Sequence, residues 1–318
     1  RYAPDVVAIP GWSDPGPLAA LDWCSRSSVP TVLMSESTAH DFQRSWWKEG
    51  VKRKVVSQFD AGLVGGRTHR NYLVSLGMPA ERVFLGYDVV DNRHFSEGAS
   101  RARRSPEKYR ARLELPEKYF LASNRFVSKK NILRLVGAYD RYRRSSDEEP
   151  WNLVLLGDGP QRSRIEQRIA SYGLSRVVHL PGFKQYEQLP LYYGLAGAFI
   201  HASTTEQWGL VVNEAMAAEL PVLVSERCGC APELVEDGAN GFTFPPRDMD
   251  RMADLLKWIS RDSCDRSALG RASREIIRDW TPETFGRNLK NAAETACQVE
   301  RRERGWSDRI LLNALIRR

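Results

Sequence analysis

The sequence predicts an α/β fold with parallel sheets, because short apolar runs alternate with helical patterns along nearly the whole chain. The apolar runs show no strict alternation of polar and apolar residues, which is typical of strands covered by helices on both faces. The strand-like runs span residues 5–10, 31–34, 61–66, 82–86, 119–123, 152–157, 177–182, 197–203, 221–225 and 241–244. The helical patterns span residues 39–59, 67–76, 129–144, 160–172, 186–194, 209–219 and 248–260.

The order of these elements predicts two doubly wound, Rossmann-like domains. Residues 96–118 are charged, contain prolines and are poor in apolar residues, so we interpret them as an inter-domain linker. Four strand-like runs precede this segment and six follow it. Since the chain opens with Arg1 just before a strand-like run, we expect a truncated N-terminal domain. The predicted divisions are 1–100, 101–275 and a helical C-terminal region, 276–318.

The composition indicates a globular protein that favours anionic partners. The net charge is +7 and the pI is about 9.2, which suits nucleotide phosphates, nucleic acid or an acidic membrane surface. The positive charge is dispersed and no nucleic-acid-binding motif is present, so a nucleic-acid partner is disfavoured. Five cysteines in 318 residues favour a reducing compartment, and no apolar run approaches the ~18 residues of a membrane-spanning helix. We therefore expect a cytoplasmic location.

The segment EQWGLVVNEAMAAELP (206–221) contains a carboxylate inside a helix that is apolar on nearly all sides. Such a helix is buried, and a buried carboxylate is costly unless it is hydrogen-bonded or paired. Gly209 stands at the start of this helix, where free N–H groups suit an anion such as a diphosphate. Glu214 could then accept hydrogen bonds from ribose hydroxyls, and Glu206 from sugar hydroxyls. The alternative is that Glu206 is a surface loop residue and Glu214 a half-exposed helix residue.

Two basic residues follow the strand-like run YFLAS (119–123). Arg125 and Lys130 lie beyond the carboxyl end of this strand, the edge at which open α/β sheets bind ligands. A pair of fixed cations at this edge fits a diphosphate. A solvated basic turn is the alternative interpretation.

The ordered motifs resemble those of the retaining nucleotide-sugar glycosyltransferases of family 4, which have the GT-B fold. EQWGLVVNEAM resembles the E-x7-E motif of that family, and NRFVSKKN resembles its R-x4-K segment. The segments LVLLGDGPQR, VHLPGF, LPLYYGLAGAFIHAS and PVLVSERCGCAPELVEDGANGF occupy matching places in the same order. The resemblance covers about residues 80–285 and implies a GT-B fold.

The resemblance also implies roles for individual residues. Arg125 and Lys130 would grip the diphosphate of the donor. Glu206 would bind the transferred sugar, and Glu214 would bind the ribose. The other implied donor-binding residues are Gly209, Leu210 and Val211 at the helix start, Pro181, Gly182 and Phe183 around the nucleobase, and Glu233 in the loop CGCAPELV.

The function implied by the resemblance is that of a hexosyltransferase-type enzyme. It would move a sugar from a nucleotide diphosphate sugar to a hydroxyl of a glycan, lipid or polysaccharide precursor, with retention of configuration. The nucleotide sugar is a co-substrate, and no cofactor or metal ion is expected. Two alternatives stay open: a nucleotide-sugar epimerase of the same fold, and a truncated donor-binding or membrane-docked module without turnover.

Two short motifs suggest metal binding but have simpler interpretations. Asp248-x-Asp250 resembles a metal-binding DxD sequence, yet it precedes an amphipathic run, so we expect Asp248 to be a helix N-cap. Cys228 and Cys230 lack a second pair of ligands, so we expect them to be small packing residues rather than a zinc site.

Two segments could give peripheral contact with the inner face of a membrane. Trp46 and Trp47 lie among basic residues in 35–56 and could form an acceptor-binding or membrane-facing patch, although an amphipathic helix with a solvated basic face is the favoured interpretation. The terminal stretch 301–318 mixes apolar residues with arginines, so it could lie on an anionic membrane or pack on the missing part of the N-terminal domain.

Overall fold

The computed structural model describes residues 4–39, 45–300 and 305–317, which form two compact units. One unit combines Arg1–Val89 with Pro282–Arg318, and the other is the uninterrupted stretch Val90–Thr281. The strands are β1 (Val7–Pro10), β2 (Thr31–Ser35), β3 (Ala61–Val64), β4 (Val83–Leu85), β5 (Tyr119–Ser123), β6 (Asn152–Leu156), β7 (Val178–Gly182), β8 (Ala198–His201), β9 (Val222–Ser225) and β10 (Gly241–Phe244). The ten predicted strands are thus confirmed, each within two residues at either end.

The helices include each of the seven predicted segments. They are α1 (Pro15–Arg26), α2 (Trp46–Val56), α3 (Arg67–Ser75), α4 (Asn92–Arg104), α5 (Pro106–Leu113), α6 (Ile132–Ser145), α7 (Arg162–Ser171), α8 (Leu189–Leu195), α9 (Leu210–Ala217), α10 (Ala231–Leu234), α11 (Met249–Ser260), α12 (Arg266–Ile277), α13 (Pro282–Gln298) and α14 (Trp306–Ile316). Residues 40–44, which belong to the predicted helix 39–59, lie outside the described residues. None of the described helices is both long enough and apolar enough to cross a membrane.

The first unit is built on a parallel sheet in the order β1-β2-β3-β4. Helix α13 covers one face, where Ala292 and Ala296 pack with Leu63 and neighbouring residues of the sheet. Helix α14 belongs to the core on the other side, because Leu312 is buried in the cluster that contains Leu21 of α1. The described part of the terminal stretch therefore packs on residues of the first unit that are present in this chain.

The second unit contains a six-stranded parallel sheet in the order β10-β9-β8-β5-β6-β7. The chain builds this sheet outward from β5 in one direction and from β8 in the other, so the strand order reverses between these two strands. Helices cover both faces, which explains the unbroken apolar runs of β5, β6 and β8. A switch point of this kind leaves a crevice beyond the carboxyl ends of the two central strands.

The predicted linker at 96–118 is wrong. Most of this segment forms helices α4 and α5, and Ala99 and Ala102 are fully buried where α4 packs on α8. At Gly98 an added Cβ would lie 2.4 Å from Cβ of Pro190, so the glycine allows α4 to approach α8 closely. The charged residues occupy the outer face of α4 while the small residues face inward, and so the composition alone resembled a linker. The division between the units falls at Val89/Val90 and Thr281/Pro282 rather than at 100/101 and 275/276.

Candidate functional site

The loop that carries Arg125 is fastened to the loop after β6. The amide of Phe126 donates to the carbonyl of Asp158 at 2.8 Å, and the amide of Asn124 donates to Leu156 at 3.0 Å. Gly157 has a φ of +119°, and an added Cβ there would lie 1.8 Å from the Asn124 carbonyl oxygen. Only glycine fits so close an approach of two backbones. The Arg125 side chain is exposed and forms no hydrogen bond or ion pair with another described residue.

The turn that carries Lys129 and Lys130 is fastened to the end of β8. Asn131, whose φ is +60°, donates from Nδ2 to the carbonyl of Ala202 at 2.9 Å and to that of Pro246 at 2.7 Å. The amide of Thr204 donates to the carbonyl of Lys129 at 2.8 Å. These bonds bring two lysines from the end of β5 to the loop after β8, across the switch point.

Glu206 forms the centre of an ion cluster at this place. Its Oε2 atom contacts Nζ of Lys130, and its Oε1 atom lies 3.6 Å from Nζ of Lys129. Ser203 donates from Oγ to Oε2 at 3.3 Å, and Nε2 of His201 lies 3.6 Å from the same oxygen. The side chains of Lys130 and Glu206 are only 15% and 12% exposed, so the contact is shielded from water.

The charges of this cluster fix the protonation states of its members. Burial acts to raise the pKa of Glu206, but contact with His201 and the positive charge of Lys130 outweigh burial and hold that pKa well below its usual range. Burial lowers the pKa of His201, although Glu206 acts in the opposite direction. At neutral pH the cluster therefore contains an ionised carboxylate and a neutral imidazole.

Helix α9 begins beside this cluster with a glycine in the left-handed region. Gly209 has a φ of +109°, and a Cβ there would lie 3.5 Å from Cγ of Glu206 and 3.7 Å from Nε2 of His201. Its carbonyl accepts the first bond of the helix from Val212, so the amides of Leu210 and Val211 lie before the first helical hydrogen bond. The Leu210 side chain is 41% exposed, whereas the central residues of α9 are buried.

Glu214 lies one turn further along α9, and its carboxylate is hydrogen-bonded to a residue of α8. The hydroxyl of Tyr193 on α8 donates to its Oε2 atom at 2.7 Å. Burial raises the pKa of Glu214 to about 7, and the bond from Tyr193 acts in the opposite direction. Glu214 is thus half-buried, and its carboxylate is desolvated, so it lies between the two alternatives that the sequence left open.

The remaining predicted residues lie on adjacent segments. Gly182 ends β7 with a φ of +83°, and its carbonyl accepts from the amide of Gly157 at 3.0 Å. Phe183 follows it with 69% of its surface exposed. Glu233 lies in the short helix α10, whose preceding loop is joined to the Glu206 segment by the bond from the Gly229 amide to the Glu206 carbonyl at 3.0 Å.

The structure therefore brings Lys130, Glu206 and Gly209 into direct proximity. Arg125, Gly182 and Glu233 join this group through backbone bonds between their loops rather than through side-chain contacts. Sequence reasoning assigned no role to Lys129, Ser203 or Tyr193 and expected His201 to be a core or hydrogen-bonded residue. The signals for the first two were present, since Lys129 adjoins Lys130 and Ser203 lies three residues before Glu206.

Chemically, this edge of the sheet combines cations, free helical amides and carboxylates. Arg125, Lys129 and Lys130 supply positive charge, and the start of α9 supplies amides that suit an anion. Glu206 and Glu214 offer acceptors for hydroxyl groups. The arrangement suits a ligand that carries both a diphosphate and sugar hydroxyls.

The two motifs that suggested metal binding have structural roles. Asp248 is the N-cap of α11, where its Oδ1 accepts from the amide of Arg251 at 2.8 Å, as predicted. Cys228 and Cys230 are buried in the core of the second unit, as predicted for packing residues. Among the described residues, no group of three or more His, Cys, Asp and Glu side chains is placed to hold a metal ion.

The family model of the glycosyl transferases group 1 matches residues 105–276, more than half of the chain. The chain belongs to this family. The matched stretch contains Arg125, Lys130, Glu206 and Glu214, and thus the whole cluster described above.

Several curated proteins are similar to this chain. It is 35% identical over 169 residues to alpha-monoglucosyldiacylglycerol synthase of Acholeplasma laidlawii, which covers 52% of this chain and 40% of that protein. It is 27% identical over 287 residues to a GDP-mannose-dependent alpha-(1-6)-phosphatidylinositol monomannoside mannosyltransferase of Mycobacterium tuberculosis, covering 86% and 72%. It is 30% identical over 238 residues to alpha-D-kanosaminyltransferase of Streptomyces kanamyceticus, covering 74% and 58%. The chain thus spans about half the length of several of its curated relatives.

Solved structures with the GT-B architecture share the fold. HepE of Anabaena in complex with UDP superposes with a TM-score of 0.77 at 18% identity, covering 92% of this chain and 79% of that one. Sucrose-phosphate synthase of Thermosynechococcus elongatus superposes with a TM-score of 0.73 at 23% identity, covering 91% and 73%. The predicted α/β class with two parallel sheets is confirmed.

Proposed function

We propose that this protein transfers a hexosyl group from a nucleotide diphosphate sugar to a hydroxyl acceptor, with retention of configuration. The observation that carries the proposal is the contact between Lys130 and Glu206, formed across the switch point beside the start of α9. A lysine that can bind the diphosphate is therefore adjacent to a carboxylate that can accept hydrogen bonds from sugar hydroxyls. This is the pair of contacts that a nucleotide sugar requires on the two sides of its scissile bond.

In the proposed step, the bond between the anomeric carbon and the diphosphate oxygen breaks while a bond to the acceptor oxygen forms. The departing diphosphate gains negative charge, and Arg125, Lys129 and Lys130 stabilise it together with the amides of Leu210 and Val211. The acceptor's proton passes to the departing diphosphate or to solvent. Because these cations supply the counter-charge, we propose that transfer needs no metal ion.

Further contacts of the donor follow from the same placement. The carboxylate of Glu214 would accept from the ribose hydroxyls, and Glu206 from the transferred sugar. Phe183, which is largely exposed at the end of β7, would cover the nucleobase beside Gly182. Glu233 would complete the sugar side from α10. Relatives named for GDP-mannose and structures named for UDP and UDP-glucose support a nucleotide-sugar donor without choosing its base.

We further propose a glycan or lipid-linked acceptor and peripheral contact with an anionic membrane surface. Helix α2 presents Trp46, 88% exposed, and Trp47, 49% exposed, on a basic segment, and Lys48 lies over the ring of Trp47. A solvated helix face is the alternative. Sedimentation with vesicles containing anionic phospholipid separates the two, since Trp46→Ala with Trp47→Ala should reduce binding only if the surface contacts lipid.

The experiment for the donor is calorimetric titration with UDP, GDP and ADP in the presence of a chelator. We expect one nucleotide to bind, and its sugar derivatives then to be consumed when candidate acceptors are present. Lys130→Ala should weaken binding by at least about tenfold, as expected from loss of a charged hydrogen bond. Lys290→Ala is the matched control, because Lys290 is an exposed lysine of α13.

The outcomes separate the candidate functions. Retaining transfer is supported if nucleoside diphosphate is released only when acceptor is present and the glycosylated acceptor keeps the anomeric configuration of the donor. A changed sugar without acceptor would instead support the epimerase. Nucleotide binding without any turnover would support a donor-binding module. Equal binding by the wild type and Lys130→Ala would refute the site.

A further inference from the structure

His201 is a buried imidazole that the proposed reaction does not yet use. It ends β8 with no exposed surface, and among the described residues its Nδ1 atom has no hydrogen-bond partner. A buried polar atom without a partner costs about 1–3 kcal/mol, which an apolar side chain would avoid. A histidine at this position is therefore explained by what its other nitrogen contacts.

The other nitrogen belongs to a short relay that ends on Glu206. Nε2 of His201 lies 3.2 Å from Oγ of Ser203, and that hydroxyl lies 3.3 Å from Oε2 of Glu206. An ionised carboxylate only accepts hydrogen bonds, so the serine hydroxyl donates to Glu206 and accepts from Nε2–H of the imidazole. This tautomer leaves Nδ1 as a bare acceptor, in agreement with the lack of a donor beside it.

The contacts are unevenly divided between the two oxygens of Glu206. Oε2 is approached by Lys130, Ser203 and His201. In the described part of the chain, Oε1 is approached by a single cation, Lys129, whose Nζ lies 3.6 Å away and whose side chain is 48% exposed. Oε1 is consequently the oxygen with capacity left for a hydroxyl of a ligand.

We propose that His201 and Ser203 are positioning residues, which fix Oε2 of Glu206 so that Oε1 faces the hexosyl group of the donor. This inference rests on the proposed function. The neutral imidazole suits the task because it donates one hydrogen bond without adding a third positive charge beside Lys129 and Lys130. It also predicts that the relay contributes to recognition of the sugar and not of the diphosphate.

The test compares a nucleoside diphosphate with its sugar derivative. UDP with UDP-glucose, GDP with GDP-mannose and ADP with ADP-glucose are titrated into the wild type, and the pair that binds is kept. The same pair is then titrated into His201→Leu, His201→Gln and Ser203→Ala, after thermal melting has shown that each variant is folded. The readout is the dissociation constant of the nucleoside diphosphate divided by that of its sugar derivative. This ratio reports the contribution of the sugar alone.

We expect the ratio to fall by about five- to tenfold in His201→Leu and Ser203→Ala, while the dissociation constant of the nucleoside diphosphate changes by less than about threefold. His201→Gln should restore the ratio to within about twofold, since its amide N–H can replace Nε2–H. A general packing defect would weaken both ligands and would not be rescued by Gln.

An unchanged ratio in His201→Leu and Ser203→Ala overturns the inference. If His201→Leu does not fold, Ser203→Ala decides, because it removes one hydroxyl and little volume. A wild type that binds none of the six ligands refutes the proposed function itself. Wild-type binding with unaffected variants refutes only the positioning role.

Discussion

The buried hydroxyl of Tyr193 donates a hydrogen bond to Oε2 of Glu214 at 2.7 Å. This single bond joins α8 to α9 and occupies one oxygen of a carboxylate whose pKa burial has raised to about 7. Glu214 therefore changes its charge in the physiological range, unlike Glu206, whose pKa is held well below its usual range even though burial alone would raise it. The two acids of one motif are thus in different protonation regimes.

Binding of a nucleotide sugar should strengthen as the pH rises from 6 to 8. Below its raised pKa, Glu214 is protonated and accepts ribose hydroxyls poorly; above it, the carboxylate is formed. The ionised fraction increases from about one tenth to about nine tenths over this window, so we expect affinity to increase by about five- to tenfold. Calorimetric titration at pH 6, 7 and 8 measures the change.

Two variants control this pH dependence. Glu214→Gln should bind weakly and with little change between pH 6 and 8. Tyr193→Phe removes a bond that lowers the pKa of Glu214, so the midpoint of the wild-type curve should move to higher pH. A pH profile identical in all three proteins would show that another group titrates.

Lys130 and Glu206 should be energetically coupled. Each is largely buried, and removal of either leaves an unbalanced charge, so Lys130→Met and Glu206→Gln should each reduce the free energy of unfolding by about 1–3 kcal/mol at pH 7. Denaturant unfolding of the single and double variants should give a coupling of about 1–2 kcal/mol.

The matched control for this cycle is the pair Arg162 and Glu166 on α7, which is more exposed, at 33% and 49%. Its coupling should stay below about 0.5 kcal/mol. Equal coupling in both pairs would contradict the shielding assigned to the Glu206 cluster.

Gly157→Ala should be far more harmful than Gly173→Ala. Both glycines have positive φ, but the added Cβ at Gly157 meets a carbonyl oxygen at 1.8 Å, whereas no atom lies within 4 Å at Gly173. We expect losses on the order of 2–4 kcal/mol and about 1 kcal/mol, respectively, in the free energy of unfolding. If both substitutions cost the same, the close contact between the loops after β5 and β6 is not as described.

Asp88 should make the first unit less stable as the pH rises. Burial raises its pKa to about 8, and the negative charge of Glu36 acts in the same direction. The folded chain therefore keeps a proton that the unfolded chain releases near pH 4, and the free energy of unfolding falls between about pH 4 and pH 8. Asp88→Asn stays neutral, so its advantage in melting temperature over the wild type should grow from pH 5 to pH 8.5. A constant difference across this range would count against the raised pKa.

The strands were predictable because their apolar runs are long enough to be buried and are bounded by turn residues. Helix α4 was not, because its inward face is made of alanine and glycine next to Phe95, which give little hydrophobic signal between four arginines and other polar residues. Helix α1 was likewise not assigned, although Pro15 and Pro17 lie in its first turn. Small residues indicate close packing only when the partner helix is known, and the sequence does not give that partner.

The site was predictable where chemistry is local and less so where it depends on tertiary contact. Glu206, Glu214 and Lys130 stand in recognisable motifs, but the contact of Lys130 with Glu206 spans 76 positions. Tyr193 was unassigned because nothing in LPLYYGL distinguishes the tyrosine that binds Glu214 from its neighbour. His201 was expected to be a core or hydrogen-bonded residue, and both descriptions apply.

The second unit is one uninterrupted stretch, Val90–Thr281, whereas the first is assembled from the segments that flank it. Recombination that replaces the two flanking segments with those of a related gene would consequently leave the Glu206 cluster intact. A single crossover between Lys130 and Glu206, by contrast, would take the cation and its carboxylate from different parents. The flanking segments of this gene can therefore diversify while the central segment is inherited as one block.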